Sequence, residues 1–438
     1  MLNTHQNNAM QNSDTMTNFA ATIGLDWADR KHDLWIHPAD GDKAKHLQLE
    51  QTPEALHEWV AQLRQRFGNQ PVAIAVETSR GPVISGLLVY DFITLFPVNP
   101  KALKDYRAAF AVSGAKDDRT DAQLLEEFVR LHRDKLRALT PDTELTRKLS
   151  GLVENRRRLV DERTRLINQL HSCLKTYYPL AETLLKDQFN TPMAAEFLSR
   201  WPDLPGLQGA TAKTLRAFFY KHNSRSAKTI EERLTSITVA QALTSDEAIL
   251  APARLLVSAL AALLKPLHQA IAQVEEAIEQ AMAQHPDAAL FRTFPGAGPA
   301  LAPRLLVAFG TNRDRFQSAG EVAQLYGLAP VVIQSGNSQT THIRRRCPKF
   351  GRQTFHENAN CACRQEAWAR CYYDQQRQRH QDKHHQACRA LAFKLIRIYF
   401  ACWRDRKPYA TNTYEQALKL NGSPLHKKLN PSTKTNCE

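Results

Sequence analysis

Four acids and one serine carry the spacing in this chain that could do chemistry. Asp26 closes the short apolar run Thr22–Trp27 (TIGLDW), and Glu77 follows the unbroken run Val72–Val76 (VAIAV). Each therefore falls at the end of an expected β-strand, and reactive side chains collect at the carboxyl edge of an α/β sheet. The stretch Lys116–Ala122 (KDDRTDA) opens an expected helix, on which Asp118 and Asp121 are three apart and share a face. Asp117 and Asp121, four apart, also share one, so either Asp117 or Asp118 can complete the set. Carboxylates drawn together from two strands and a helix repel one another unless a hard cation neutralises them. Mg²⁺ suits such a site, since it takes oxygen ligands and bridges substrate phosphates. Single acids at these positions also serve as helix caps and dipole partners; it is their joint occurrence that points to a metal. Asp29, Asp33 and Asp105 are expected to be surface acids.

The serine is Ser335, in Pro330–Ser338 (PVVIQSGNS), with Ser338 as a nearby rival. It precedes Gly336 and lies upstream of Arg344, Arg345, Arg346, Lys349 and Arg352. A serine that attacks a phosphodiester needs close access to the backbone, positive charge on the nonbridging oxygens, and a route for its proton. Gly336 permits the approach and the basic residues supply the charge and a nucleic-acid grip. Taken alone, Ser-Gly is also an ordinary turn.

The elements that must position these groups follow from periodicity. After a leader over 1–20, strands are expected at Thr22–Trp27, Asp33–His37 and Lys45–Leu49, then a helix over Pro53–Phe67 and a strand over Val72–Val76. A helix over Val83–Val89, a strand over Phe92–Val98, and helices over Lys101–Phe110 and Asp118–Leu131 follow. The order β-β-β-α-β-α-β-α describes an α/β sheet that starts antiparallel and continues parallel, the order of the ribonuclease-H-like nucleases. Residues 141–285 read as a helical coiled-coil connector. Leu145, Leu149, Leu152, Arg156, Leu159, Arg163, Leu166, Leu170, Cys173 and Tyr177 form a heptad seam, and Pro179 ends that helix. A second long helix is expected over Ile249–Met282, able to pair with the first within one chain or between two; no chemistry is read in Ala181–Asp246. From 286 to 410 a mainly helical unit follows. In it Phe294–Gly298 (FPGAG) resembles a helix-hairpin-helix turn whose N–H groups could hold a phosphate. Residues 411–438 read as a polar tail.

At this point the sequence resembles a known family. IGLDWADRKHD, AVETS, VNPKALKDYR and AKDDRTDA, followed by FPGAGPALAPRLL, RFQSAGEVAQLYGLAP and VIQSGNS, look like the DEDD-type insertion-sequence transposases of insertion-sequence family one-ten. Studied members of that family are bridge-RNA-guided recombinases. The resemblance implies a RuvC-like domain over 21–140, in which Asp26, Glu77, Asp118 and Asp121 hold Mg²⁺. It further implies a transposase domain over 286–410 with Ser335 as nucleophile, joined covalently to a DNA end as phosphoserine. A noncoding guide RNA would pair with donor and target DNA, and the active site would be composite within a homo-oligomer, a dimer or tetramer.

Composition fits a polyanionic partner. The 438 residues carry a formal net charge of +14, and 43% hydrophobic residues exclude a wholly disordered chain. The longest apolar runs, such as Leu255–Leu264, fall short of the ~20 residues that span a bilayer, so a soluble, cytoplasmic, nucleoid-associated protein without a membrane partner is expected. The cysteines are expected as reduced thiols. His356, Cys361, Cys363, Cys371, His380, His384, His385 and Cys388 match no usual zinc spacing, and Trp368, Tyr372, Tyr373 and Trp403 are expected to pack in the core. Two rival functions remain: a hydrolytic, junction-resolvase-like nuclease using only the acids, and a nucleic-acid-binding protein without chemistry.

Overall fold

The structure is a computed structural model and describes residues 18–110 and 117–429. The chain divides into two compact units, 1–141 and 142–438.

Among its described residues the first unit contains a five-stranded sheet in the order β3-β2-β1-β4-β5. Its strands are β1 (Ala21–Asp26), β2 (Lys31–Pro38), β3 (Lys45–Glu50), β4 (Val72–Val76) and β5 (Ile93–Pro97). β1 pairs antiparallel with β2 and β2 with β3, whereas β1–β4 and β4–β5 are parallel. The helices are α1 (Pro53–Phe67), α2 (Pro82–Leu87), α3 (Pro100–Phe110) and α4 (Asp118–His132). Strand alternation sorts the side chains into two layers. Ile23, Leu25, Val72, Ile74 and Val76 pack with Trp59, Val60 and Leu63 of α1 and Val83 and Leu87 of α2. Ala73 and Ala75, on the other face, pack with Leu103, Leu125 and Val129. The small side chains on that second face let α4 approach closely. Asp33 departs from its expected surface place: it is buried and bonded by His46 Nε2 at 2.5 Å, because its strand β2 lies inside the sheet.

In the second unit, α5 (Glu144–Tyr177) and α11 (Glu247–Gln284) form an antiparallel pair within one chain, with Arg156 opposite Glu275 at 2.5 Å and Cys173 opposite Ala253. Between them run α6 (Pro179–Leu185), α7 (Pro192–Arg200), α8 (Leu204–Gln208), α9 (Ala212–Lys221) and α10 (Ala227–Val239). These helices enclose a core with Leu166, Leu170, Leu174 and Tyr177 at one end of the pair. At the other end, Leu149, Val153, Ile278 and Met282 join a second core. The seam of α5 thus serves two cores, with Arg156 and Arg163 at the polar waist between them.

By length and composition α11 could cross a membrane, a property that short apolar runs conceal because it rests on the mean over a longer window. Here it packs against α5 and α7, and its Arg254 is ion-paired with Asp203 and Glu247.

The second core is closed by α12 (Ala288–Arg292), α13 (Leu301–Phe309), α14 (Ala319–Leu325), α15 (Lys349–Gln365), α16 (Ala367–Arg379) and α17 (His384–Asp405), and the exposed hairpin β6 (Pro330–Ser335) and β7 (Ser338–Ile343) projects between α14 and α15 in the chain. Trp368 and Trp403 are fully buried in that core, their indole N–H groups donating to Tyr409 Oη and the Gly310 carbonyl. Residues 411–429 differ from the expected polar tail. They form α18 (Thr411–Leu420) and α19 (Pro424–Leu429), which bury Leu418 and Leu425 against the core. Each is too short to show a clear helical period, and the tail's remainder, 430–438, lies outside the described residues. The described cysteines are free thiols.

Burial of His356 on α15, beside Arg389, Arg352, His385 and His384, pushes its imidazole down to about 4. The unfolded chain takes up that proton near pH 6.5, so stability is full above about 6.5 and declines as the pH falls towards 4. Burial lowers His268 and His285 in the same direction. The urea midpoint of the full chain is therefore expected to drop between pH 7 and pH 5. His356→Gln is expected to reduce that drop, and an equal drop in the variant counts against the assignment.

Candidate active site and nucleic-acid interface

The geometry of the acidic set comes from how α4 lies on the sheet. Thr22 Oγ1 donates to Glu126 Oε1 at 2.6 Å. Two residues further along β1, a Cβ on Gly24 would stand 1.8 Å from the Ala122 carbonyl oxygen. So β1 and α4 run antiparallel, two strand residues matching four helix residues. Those steps are nearly equal, ~6.6 Å of strand and ~6 Å of helix. One more step pairs Asp26 with the level of Asp118. In the parallel ladder Leu25 is opposite Val76, so Asp26 and Glu77 follow at the same level on adjacent strands.

Asp118 lies on the stripe of Ala122, Leu125 and Val129 that faces the sheet; it is exposed at the first turn, where the helix dipole favours negative charge. Asp117 is the N-cap residue and makes no side-chain cap bond. Asp121 is 2% exposed and accepts a hydrogen bond from the Arg107 guanidinium on α3. Extended in this way, the register puts Asp26, Glu77 and Asp118 at one level at one edge of the sheet, while Asp121, one turn along α4, is buried under Arg107. Among the described residues, no three His, Cys, Asp or Glu side chains converge tightly enough to hold a metal ion.

What the four acids share with sites for hard divalent cations is their ligand type. The set is all carboxylate oxygen, it lies where strand ends and a helix N-terminus meet, and its most buried member already holds a positive group. Glu126 escaped the sequence reading. It is 2% exposed, accepts from Thr22 and Arg130, and fixes the register of α4 on β1. Its signal was the four-residue spacing 118-122-126.

Ser335 lies in the other unit, at the tip of the β6–β7 hairpin, directly opposite Ser338 in the register. The two-residue loop Gly336-Asn337 has φ +56° at Gly336 and a negative φ at Asn337, the pattern that makes glycine the preferred first loop residue of a type II′ turn. Both serines are exposed, as are Arg344, Arg345, Arg346 and Lys349 in the segment leading into α15. Arg352, half-buried, donates to the Arg344 carbonyl at 3.4 Å and ties that segment to the helix. The interface therefore offers two hydroxyls on a thin projection followed at once by a run of positive charge.

In the FPGAG turn the Gly296 N–H donates to Gln365 Oε1 at 2.7 Å and the Ala297 N–H to the Phe294 carbonyl at 2.9 Å, and Pro295 O accepts from Asn358 and Tyr399. The turn is spent on holding α13 to α15 and α17.

The comparisons with known proteins place the chain among the transposases, enzymes that act on DNA. Residues 23–179 match the family model for the DEDD transposase of IS110, and residues 288–374 match that of the transposase IS116/IS110/IS902 family. Together they cover more than half of the chain. It is similar to the mini-circle putative transposase for IS117 of Streptomyces coelicolor, 28% identical over 412 residues, covering 90% of this chain and 96% of that protein. It is also similar to the insertion element IS900 uncharacterized 42 kDa protein of Mycobacterium paratuberculosis, 25% identical over 399 residues, 89% of this chain and 98% of that one. The chain belongs to the IS110 family of insertion-sequence transposases.

Proposed function

We propose that this transposase is an RNA-guided, Mg²⁺-dependent serine recombinase. The observation that supports it most is the shared level of Asp26, Glu77 and Asp118, set by the close approach of α4 to Gly24. In this reading the first unit is a ribonuclease-H-like, RuvC-like domain, and Asp26, Glu77, Asp118 and Asp121 hold Mg²⁺. When bound, the ion supplies charge stabilisation at the phosphate under attack. The domains run as 21–140, a connector over 141–285, and the serine-bearing transposase domain over 286–410.

Ser335 Oγ attacks the DNA phosphorus. An Oγ–P bond forms, the strand's own P–O bond breaks, and a free hydroxyl leaves on the other DNA end. Attack by a hydroxyl of the exchanged strand reverses these steps and frees the serine, so no phosphodiester energy is lost to water. Among the described residues no His, Asp or Glu side chain hydrogen-bonds the Ser335 hydroxyl, so the proton acceptor is recruited from outside the hairpin. Arg344, Arg345, Arg346, Lys349 and Arg352 hold backbone phosphates, and sequence choice is left to base pairing by a noncoding RNA. The protein works as a homo-oligomer in the cytoplasm, on the nucleoid.

The test is to incubate the full chain, its element's noncoding RNA and end-labelled DNA with Mg²⁺, then denature. A labelled species that migrates with the protein and collapses on proteolysis is the expected result. Free 5′-phosphate ends with no such adduct would establish a hydrolytic nuclease instead.

A further inference from the structure

Arg107 reaches from α3 to the acidic edge and bonds Asp121. Both side chains are largely withdrawn from water, 17% and 4% exposed. The Arg107 Nε is buried without a hydrogen-bond partner. A guanidinium built purely as a structural clamp commonly commits its fork to a carboxylate and satisfies its other N–H groups. Here the buried Nε–H has no such partner, on an arginine whose Nη2 bonds one of the carboxylates that would hold the metal. A guanidinium and a divalent cation compete for Asp121, since like charges at that separation repel strongly where water is scarce.

Resting on the metal assignment in the proposed function, we propose that Arg107 is a tethered counter-cation: it holds the acidic edge together without metal and leaves Asp121 when a divalent ion enters. Metal affinity is then lowered by the fraction of molecules in which Arg107 is seated. The physical role is twofold. A buried carboxylate does not stand uncompensated before the metal arrives, and stray ions are held off until the site is needed. Once released, the guanidinium has its whole fork available.

Mn²⁺ serves as the probe, read by the electron paramagnetic resonance of the free ion, with the full chain and no nucleic acid. Arg107→Met, which keeps the stem and removes the charge, is expected to bind Mn²⁺ at least fivefold more tightly than wild type. It should also melt lower in EDTA and gain more in melting temperature on adding Mn²⁺. Arg107→Lys retains a charge without the planar fork and is expected to tighten binding about twofold, which keeps the idea testable if Arg107→Met does not give a native circular dichroism spectrum. Mn²⁺ affinity unchanged or weakened in the folded variants overturns this proposal alone. Wild type that binds no Mn²⁺, with Asp26→Asn indifferent, overturns the metal assignment and this proposal with it.

Discussion

Ser335→Ala is expected to abolish the covalent protein–DNA adduct and to lower recombination by about a thousandfold or more, as removal of a covalent nucleophile does. The fold should not register the change. Ser335 is exposed at the hairpin tip, and exposed substitutions of this kind stay within about 0.5 kcal/mol of wild type. Ser338→Ala is the internal control. Because Ser338 lies directly across the turn from Ser335, it samples nearly the same surroundings, and only the nucleophile itself distinguishes the two. Adduct formation should persist in Ser338→Ala within a fewfold. If the adduct survives in Ser335→Ala and disappears in Ser338→Ala, the nucleophile is Ser338. If it survives in both, the hairpin does not supply the nucleophile.

Gly24→Ala should be nearly as damaging although it touches no reacting atom. The added methyl would stand 1.8 Å from the Ala122 carbonyl oxygen and 2.5 Å from the Glu126 nitrogen. Both are backbone atoms of α4, so no side chain can rotate away, and the helix itself must shift. Overpacking of this kind costs about 1–3 kcal/mol, occasionally more. The larger effect is on chemistry, because α4 carries Asp118 and Asp121 and its register against β1 places them. A displacement of about 1 Å can cost a hundredfold in rate, so strand cleavage is expected to fall by about two orders of magnitude in molecules that remain folded. Hydrogen exchange should show loosening confined to α4 and β1. Cleavage within threefold of wild type, in a protein with unchanged exchange, would show that the register of α4 does not govern the site.

Much of this architecture was legible because local patterns are strong where burial is two-sided. VAIAV can only be a buried strand, and Trp59, Val60 and Leu63 mark the inner face of α1. Asp26 and Glu77 were visible because each ends an apolar run. What escaped the reading was non-local. Asp33 reads as a surface acid in the sequence, since nothing nearby in the chain announces His46, thirteen residues on, as its partner. The helices beyond Tyr409 owe their order to a core assembled from residues far upstream. The FPGAG turn has the composition of a phosphate cradle, and its Gly296 amide finds a partner sixty-nine residues on, in Gln365. Glu126 is one of several acids on α4, and only its contact with Thr22 sets it apart.

By itself the amino-acid order determined the class of the protein, the strand and helix sequence of the first unit, and which hydroxyl and carboxylates were worth following. These depend on residue type and on spacings shorter than about one helix or strand. Tertiary structure decided that α5 and α11 pair within one chain, that α4 lies on β1 in the register aligning Asp118 with Asp26, and that Arg107 occupies Asp121. Those outcomes turn on contacts between residues distant in the chain, such as the close approach of Gly24 on β1 to the backbone of α4.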